Sequence, residues 1–271
     1  MTAFFPGAWH ADVVAGVVLL AGLYVAAARR TALRPSASAR AAFIAGLAVL
    51  LLALNGPLHD LSDAYLFSAH MVQHLLLTLV VPPLFLLGTP GPMLDAGLAA
   101  LARGRRATAA VRTLTRPIPA LALYTLALVV WHLPAPYGAA LAHHGLHVVE
   151  HLTFMVTATL AWWPVLARSR VAPPLHYGAQ ILYLFAFGIP MTIVAAMVTG
   201  ADNILYPFYA AAPRVTALSP LADQRLGGVL MWVPAGLVPL AAFTAVFFRW
   251  AAAERDPDDV SAFPPDAPLL S

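Results

Sequence analysis

The 271-residue chain has no cysteine and no lysine, only two glutamates, and just 10% charged residues. The absence of cysteine excludes disulfides and thiolate metal sites, so any metal must be held by His, Met, Asp or Glu. A soluble domain carries about a quarter charged residues, and so little charge beside 61% hydrophobic residues excludes an ordinary soluble core. The formal charge of +3 comes entirely from arginines. They sit in short stretches between apolar segments, which argues against nucleic acid as a partner and for membrane lipid as the surrounding medium.

Seven apolar segments are present, at roughly 10–28, 40–56, 64–88, 117–134, 143–166, 176–200 and 226–249. Each approaches the length that crosses a ~30 Å hydrocarbon layer at ~1.5 Å per residue. The expected fold class is therefore all-α, a seven-transmembrane helix bundle. Pro82, Pro83, Pro190 and Pro234 fall inside segments, where proline kinks a membrane helix and neighbours satisfy the freed carbonyls. Arg29, Arg30, Arg34 and Arg40 follow the first segment, and Arg103, Arg105, Arg106, Arg112 and Arg116 follow the third. Arg168, Arg170, Arg249 and Arg255 fall on the same side, against only Arg214 and Arg225 on the other. The positive-inside rule then places the N-terminus outside and the C-terminus in the cytoplasm. Residues 1–9 carry no basic stretch, so the first segment reads as a span and not as a cleaved signal. The expected organisation is one transmembrane domain over 1–253 and a disordered, acidic, proline-rich cytoplasmic tail over 254–271.

With this orientation nine of the ten histidines lie at the outer end. His10, His59, His143, His144 and the cytoplasmic His176 read as interfacial side chains. The others form a pattern. The third segment contains His70-Met71-Val72-Gln73-His74-Leu75 and the fifth His147-Val148-Val149-Glu150-His151-Leu152, a repeated His-x-Val-Gln/Glu-His-Leu. Histidines at i and i+4 share a helix face ~6 Å apart, a spacing that suits two ligands on one metal. Both segments run in the same direction, and both motifs begin ~9 Å below the outer surface. Four imidazoles, His70, His74, His147 and His151, can therefore meet at one depth, with His132 as a fifth ligand and Met71, Met155, Met197 and Met231 within the same outer halves. Glu150, at i+3 from His147, is placed to orient an imidazole, to ligate, or to carry protons.

Imidazole suits copper, zinc and haem iron, and thioether selects copper(I). A His- and Met-rich site without cysteine fits copper, while one histidine from each pair can also serve as axial haem ligands. Residues 147–151 spell His-x-x-Glu-His, an inverted zincin pattern, so a zinc-dependent membrane hydrolase using Asp12, Asp63, Asp202 or Asp223 is a further class.

The chain resembles the CtaG-type cytochrome c oxidase assembly factors, the polytopic membrane family associated with caa-type oxidases. The resemblance is carried by Ser68-Ala69-His70-Met71-Val72-Gln73-His74-Leu75 with Pro82-Pro83, by Trp131-His132 with Pro134 and Tyr137, and by His147 through Leu152. Ser219-Pro220-Leu221-Ala222-Asp223-Gln224, Gly227-Gly228 and Met231-Trp232 complete it. It implies a non-enzymatic protein of the bacterial cytoplasmic (inner) membrane that supplies copper to cytochrome c oxidase subunits, with extracytoplasmic copper chaperones as further partners. It also directs attention to Asp223, expected at the outer mouth of the last segment, where it can close the site or receive metal. Tyr206 to Tyr209 read as an aromatic interfacial stretch.

Overall fold

The computed structural model describes residues 9–255, and every regular element among them is helical. α1 (Ala11–Arg30) and α2 (Ala37–Ala53) are followed by the short α3 (Gly56–Ala64). The third apolar segment is α4 (Phe67–Leu75), a π-helical turn over Leu76–Val80, and α5 (Val81–Gly88). α6 (Gly91–Leu101) and α7 (Arg105–Leu114) carry the chain to α8 (Pro117–His132), and α9 (Pro134–Ala142) links it to α10 (His144–Leu166). α11 (Tyr177–Thr199), the one-turn α12 (Pro207–Ala211) and the 36-residue α13 (Pro220–Arg255) complete the described chain. All seven apolar segments are thus helices, and five short helices stand between them. Of the tail expected from residue 254, Glu254 and Arg255 continue α13, and the rest lies outside the described residues.

The helix starts follow from local chemistry. α8, α9, α12 and α13 each begin on a proline, whose missing N–H costs nothing in the first turn. Ser36 Oγ accepts from Ala39 N at 3.1 Å to cap α2. The π turn has an equally local cause. Pro82 cannot donate to the carbonyl one helical turn back, and Thr78 O is taken instead by Trp162 Nε1 of α10 at 3.0 Å. The distortion begins two residues after His74, and the Thr78–Trp162 bond ties the third segment to the fifth beyond the histidines.

Small residues draw the helices together. A side chain at Gly227 would strike Phe67 and Met71 of α4, and one at Gly228 would strike Thr199 and Ala195 of α11. α13 therefore packs closely on two partners at once, as small residues permit between membrane helices. Gly46 and Gly88 do the same between α2 and α5, against Phe85 and Phe43. The apolar core runs through Tyr124, Phe154, Trp162 and Phe187. α1 stands apart, with no buried residue and contacts only to α2 and α6 among the stronger helix pairs.

Four helices, Ala11–Arg30, Phe67–Gly88, Tyr177–Thr199 and Pro220–Arg255, are each long and apolar enough to cross a membrane. There are six if the bent pairs Ala37–Ala53 with Gly56–Ala64 and Arg105–Leu114 with Pro117–His132 each make one span. α10 has the length, at 23 residues, but His144, His147, Glu150 and His151 in its first turns set it apart in polarity. The ends of the bundle differ in chemistry. At one, Tyr24 Oη donates to Gly88 O, and Asp95 accepts from Ser169 and Arg170 beside the arginine-rich connections. At the other, Asn55, His132, Tyr206, Tyr209 and Asp223 tie the connecting segments together.

A candidate metal centre

The two repeats face each other. α4 presents His70 and His74, α10 presents His147 and His151, and all four side chains are buried. Ring centroids stand 4.1 Å apart for His70–His74 and 4.2 Å for His147–His151, the i,i+4 pairs. Across the helices they are 5.4 Å for His70–His147 and 5.5 Å for His74–His151. Ligand atoms of His70, His74 and His151 lie within 4.8 Å of one another. A second group at the same limit joins Asp63, His70 and His147. The four imidazoles thus form two adjoining triads that share His70, and Asp63 of α3 completes the second.

Hydrogen bonds set the tautomers. Tyr209 Oη donates to Ser62 O at 2.6 Å, so it accepts from His70 Nδ1 at 3.1 Å. Burial raises the Tyr209 phenol well above its ordinary pKa, which keeps it a donor. With its proton on Nδ1, His70 turns the lone pair of Nε2 toward His74 Nε2, 2.7 Å away. One proton therefore lies between these two nitrogens, and an ion taking its place is the exchange by which imidazole binds metal. Two nitrogens on one tetrahedral ion sit about 3.3 Å apart, so a small rotation of either ring suffices. His132 is fixed similarly. Its Nδ1 donates to Leu128 O at 2.7 Å and leaves Nε2 buried without a partner. Its ring is 6.1 Å from that of His74, beside the first triad but not within it.

Unpartnered atoms collect at this place. His74 Nδ1, His132 Nε2, His147 Nε2, His151 Nε2 and both oxygens of Glu150 are buried without a hydrogen bond. A buried carboxylate lacking donors requires a proton or a cation beside it. Glu150 Oε1 is 3.6 Å from His74 Nε2, and Oε2 is 4.0 Å from His147 Nε2. Such a concentration of lone pairs in an apolar interior has the donor chemistry of a site for a borderline or soft cation.

The thioethers divide. Met71 and Met231 are buried and line a small cavity with His74, His132 and Met191. Met155 lies one turn below His151 on the wall of a larger cleft, between α1 and α10, that His147 and His151 also line. Met197 is 69% exposed on the outer face of α11 and takes no part.

Asp223 has a different setting from the open mouth expected of it. Fully buried on α13, it accepts from Phe67 N at 2.7 Å and from Ser68 N and Ser68 Oγ at 3.3 and 2.5 Å. Its carboxylate thereby caps the N-terminus of α4, whose first turn supplies the orphan donors. It fixes the helix that carries His70 and His74 without reaching them. Gln224 beside it holds the connecting segment through Leu205 N at 2.7 Å.

Three groups gain importance over their sequence reading. His59, assigned to the interface, is buried, and Gln73 Nε2 donates to its Nδ1 at 3.1 Å. Its Nε2–H therefore points to Asp63 Oδ2, 3.3 Å away. Asp63 Oδ2 is also 3.5 Å from His147 Nδ1. Tyr209, read as an aromatic anchor, orients His70. The signal available for the first two was the i,i+4 spacing of His59 and Asp63 just before the third segment; no local pattern marks Tyr209.

Comparison with known proteins identifies the family of the chain. Residues 22–253 match the family described as cytochrome c oxidase caa3 assembly factor (Caa3_CtaG). The uncharacterized protein Mb0105 of Mycobacterium bovis is 26% identical over 261 residues, covering 89% of this chain. The uncharacterized protein MT0111 of Mycobacterium tuberculosis gives the same values. The uncharacterized protein ML1998 of Mycobacterium leprae is 23% identical over 204 residues, 69% of this chain. The matched regions make up 38%, 38% and 30% of those relatives, so the chain spans well under half their length. No solved structure matches the chain. With all four clustered histidines, Glu150 and Asp223 inside the matched region, the chain belongs to the family of cytochrome c oxidase caa3 assembly factors.

Proposed function

We propose that this chain holds a copper ion on His70, His74, His147 and His151 and delivers it to a cytochrome c oxidase subunit during assembly. The observation that carries the reading is the convergence of His70, His74 and His151, with ligand atoms within 4.8 Å and unpartnered buried nitrogens around them. Copper is the cargo. Imidazoles with Met71 and Met231 close behind suit it better than a hard cation, and the absence of thiolates lets it leave again. His132 is an additional ligand within reach, and Glu150 balances the charge of the ion. No turnover is part of this reading, so the chain acts as an assembly factor and not as an enzyme.

In the same reading α10 is the seventh crossing. Its polar first turns are tolerated because they face the centre and not lipid. The arginine-rich end lies in the cytoplasm and the histidine end outside, within the bacterial cytoplasmic membrane, so copper comes from extracytoplasmic carriers. The cleft beside His147 and His151 gives the lateral opening that transfer to a membrane-embedded oxidase subunit requires. Residues 11–253 act as one transmembrane unit.

A specific arrangement favours a second reading. Asp63, His70 and His147 form a mixed carboxylate–imidazole triad with Glu150 beside it, a donor set that also suits zinc and a hydrolytic water. Metal analysis of protein purified in detergent separates the two. Copper retained by the wild type and lost in a His74→Ala, His151→Ala double variant is the expected result. Stoichiometric zinc, or copper content unchanged in that variant, overturns the copper reading, and a Soret band in the optical spectrum replaces it with haem.

A further inference from the structure

We propose that His10, Asp12 and His144 form an uptake station that captures the copper ion at the surface and feeds it to His147. This rests on the reading of the buried centre as a copper site. The three side chains come from the start of α1 and the start of α10, two helices separated by 132 residues or more in sequence at these positions. His144 Nε2 is 3.6 Å from Asp12 Oδ2, and the rings of His10 and His144 stand 6.4 Å apart. His10, Asp12 and His144 line the mouth of the same cleft whose wall includes His59, His147 and His151. The station and the buried histidines therefore share one continuous space.

The donors change in burial along that space. The side chains of His144 and Asp12 are 68% and 51% exposed and that of His147 is 6%; Asp63, 31% exposed, is not part of the lining but contacts both His59 and His147. A hydrated ion meets the exposed pair first and loses water stepwise as it goes inward, each step replacing water by imidazole or carboxylate. The ring of His59 stands 4.3 Å from that of His10 and 6.3 Å from that of His147, between the station and the centre. His59 does not ligate in this arrangement. Both its nitrogens are engaged, Nδ1 by Gln73 and Nε2 by Asp63, and it holds the Asp63 carboxylate toward His147. Asp63 Oδ2 then passes the ion to the triad it shares with His70 and His147. The buried end carries the independent sign of a ligand path, since His147 Nε2 is buried and has no hydrogen-bond partner.

The remaining wall of the cleft is mostly apolar, including Leu20, Leu50 and Trp163, with Thr115 and Thr159 among them. Below the histidines this wall offers no imidazole or carboxylate among the described residues, and the Met155 thioether is its one soft donor there. Among the described residues the polar mouth is thus the approach along this cleft that bears exposed imidazole and carboxylate groups, and these raise the local cation concentration before entry.

The test separates the rate of loading from equilibrium content. Full-length protein in nanodiscs receives Cu(I) from its bicinchoninate complex, and loss of the complex's colour is followed by stopped flow. The His10→Ala, His144→Ala double variant is expected to load about tenfold more slowly, the lower end of the effect of electrostatic focusing on capture, with final copper content unchanged. His143→Ala, an exposed histidine adjacent to the station, is expected to load at the wild-type rate. An Asp12→Asn, His144→Gln variant repeats the measurement with side chains of nearly equal size, so that loss of fold in one variant leaves the other to decide. An unchanged rate in a folded variant of either kind overturns the uptake station while leaving the buried centre intact. A lower final content makes these residues storage ligands and also overturns the proposal. A wild-type protein that takes up no copper removes the buried copper centre itself, and the station with it.

Discussion

Replacing Tyr209 by Phe deletes one oxygen from the wall of the centre and keeps the ring. That oxygen donates to Ser62 O at 2.6 Å, accepts from His70 Nδ1 at 3.1 Å and accepts from Tyr137 Oη at 3.2 Å. Three buried groups lose a partner, and leaving a buried polar group unpaired costs roughly 1–3 kcal/mol. Partial relaxation brings the expected loss of stability to about 3 kcal/mol. The effect on copper is separate. His70 loses the acceptor that keeps its proton on Nδ1, so the Nε2 lone pair is no longer fixed toward His74. Removing the hydrogen-bond partner of a metal-binding imidazole weakens affinity by about 10–100-fold, equivalent to about 1.4–2.8 kcal/mol. Competition with a chromophoric Cu(I) chelator measures affinity, and an SDS or thermal unfolding curve of the same preparation measures stability. Nitrogen hyperfine structure in the Cu(II) EPR spectrum supplies a readout that packing alone does not move. Loss of stability with copper affinity within twofold of wild type and an unchanged EPR spectrum would refute the positioning role of Tyr209.

Three further substitutions probe the surrounding architecture. Asp223→Ala removes the cap of α4 and leaves Phe67 N–H, Ser68 N–H and Ser68 Oγ without their acceptor; a loss of about 3 kcal/mol in the unfolding free energy is expected. An unchanged unfolding midpoint combined with lost copper instead makes Asp223 a ligand. Gly228→Ala places a methyl 2.8 Å from Thr199 N and 3.1 Å from Ala195 O, both backbone atoms. Forced separation of α11 from α13 is expected to cost about 2 kcal/mol, read by thermal unfolding. Glu150→Gln relieves a buried carboxylate that lacks donors. The metal-free protein is expected to gain thermal stability while copper affinity falls about 10-fold or more; a loss of stability without copper contradicts this account of Glu150.

The repeated His-x-Val-Gln/Glu-His-Leu pattern was legible because a helix converts a spacing of four into a shared face, and because the two segments run in the same direction. Helix geometry alone then brings four imidazoles to one depth once α4 and α10 are neighbours. What periodicity does not contain is the environment that each face meets. Gln73 and Glu150 occupy the same place in the repeat, yet Gln73 is pinned by Ala53 O, Ser62 and His59, whereas Glu150 finds no donor. The difference comes from the end of α2, which supplies Ala53 O, and from α3, a nine-residue helix too short to register in a hydropathy window but placed against α4. α3 also supplies His59 and Asp63. Asp223 shows a related limit. Its position ahead of the last segment suggested the outer mouth of the site, whereas close packing at Gly227 lets its carboxylate reach the first turn of α4, 155 residues away in sequence.

α10 shows why the fold and the site are not read equally well from one signal. Apolarity marks a membrane helix because an unpaired polar group in hydrocarbon is costly. A buried metal site needs such groups, and here His147, Glu150 and His151 are concentrated within two turns of one helix. If α10 is the proposed seventh crossing, the chemistry that makes this stretch recognisable as a site is also what keeps the helix from reading as a span. The cost is met on one side only. His147, Glu150 and His151 are buried against α4, while Val149, Leu152 and Val156 between and below them are exposed. An i,i+3/i,i+4 division of α10 into a polar buried face and an apolar outer face is the inverse of a soluble amphipathic helix. In lipid it is the arrangement that allows a charged or metal-bearing centre to be carried at low exposure. Under the proposed function, that inverted amphipathicity is the signal that fits α10 as both the seventh crossing and the site.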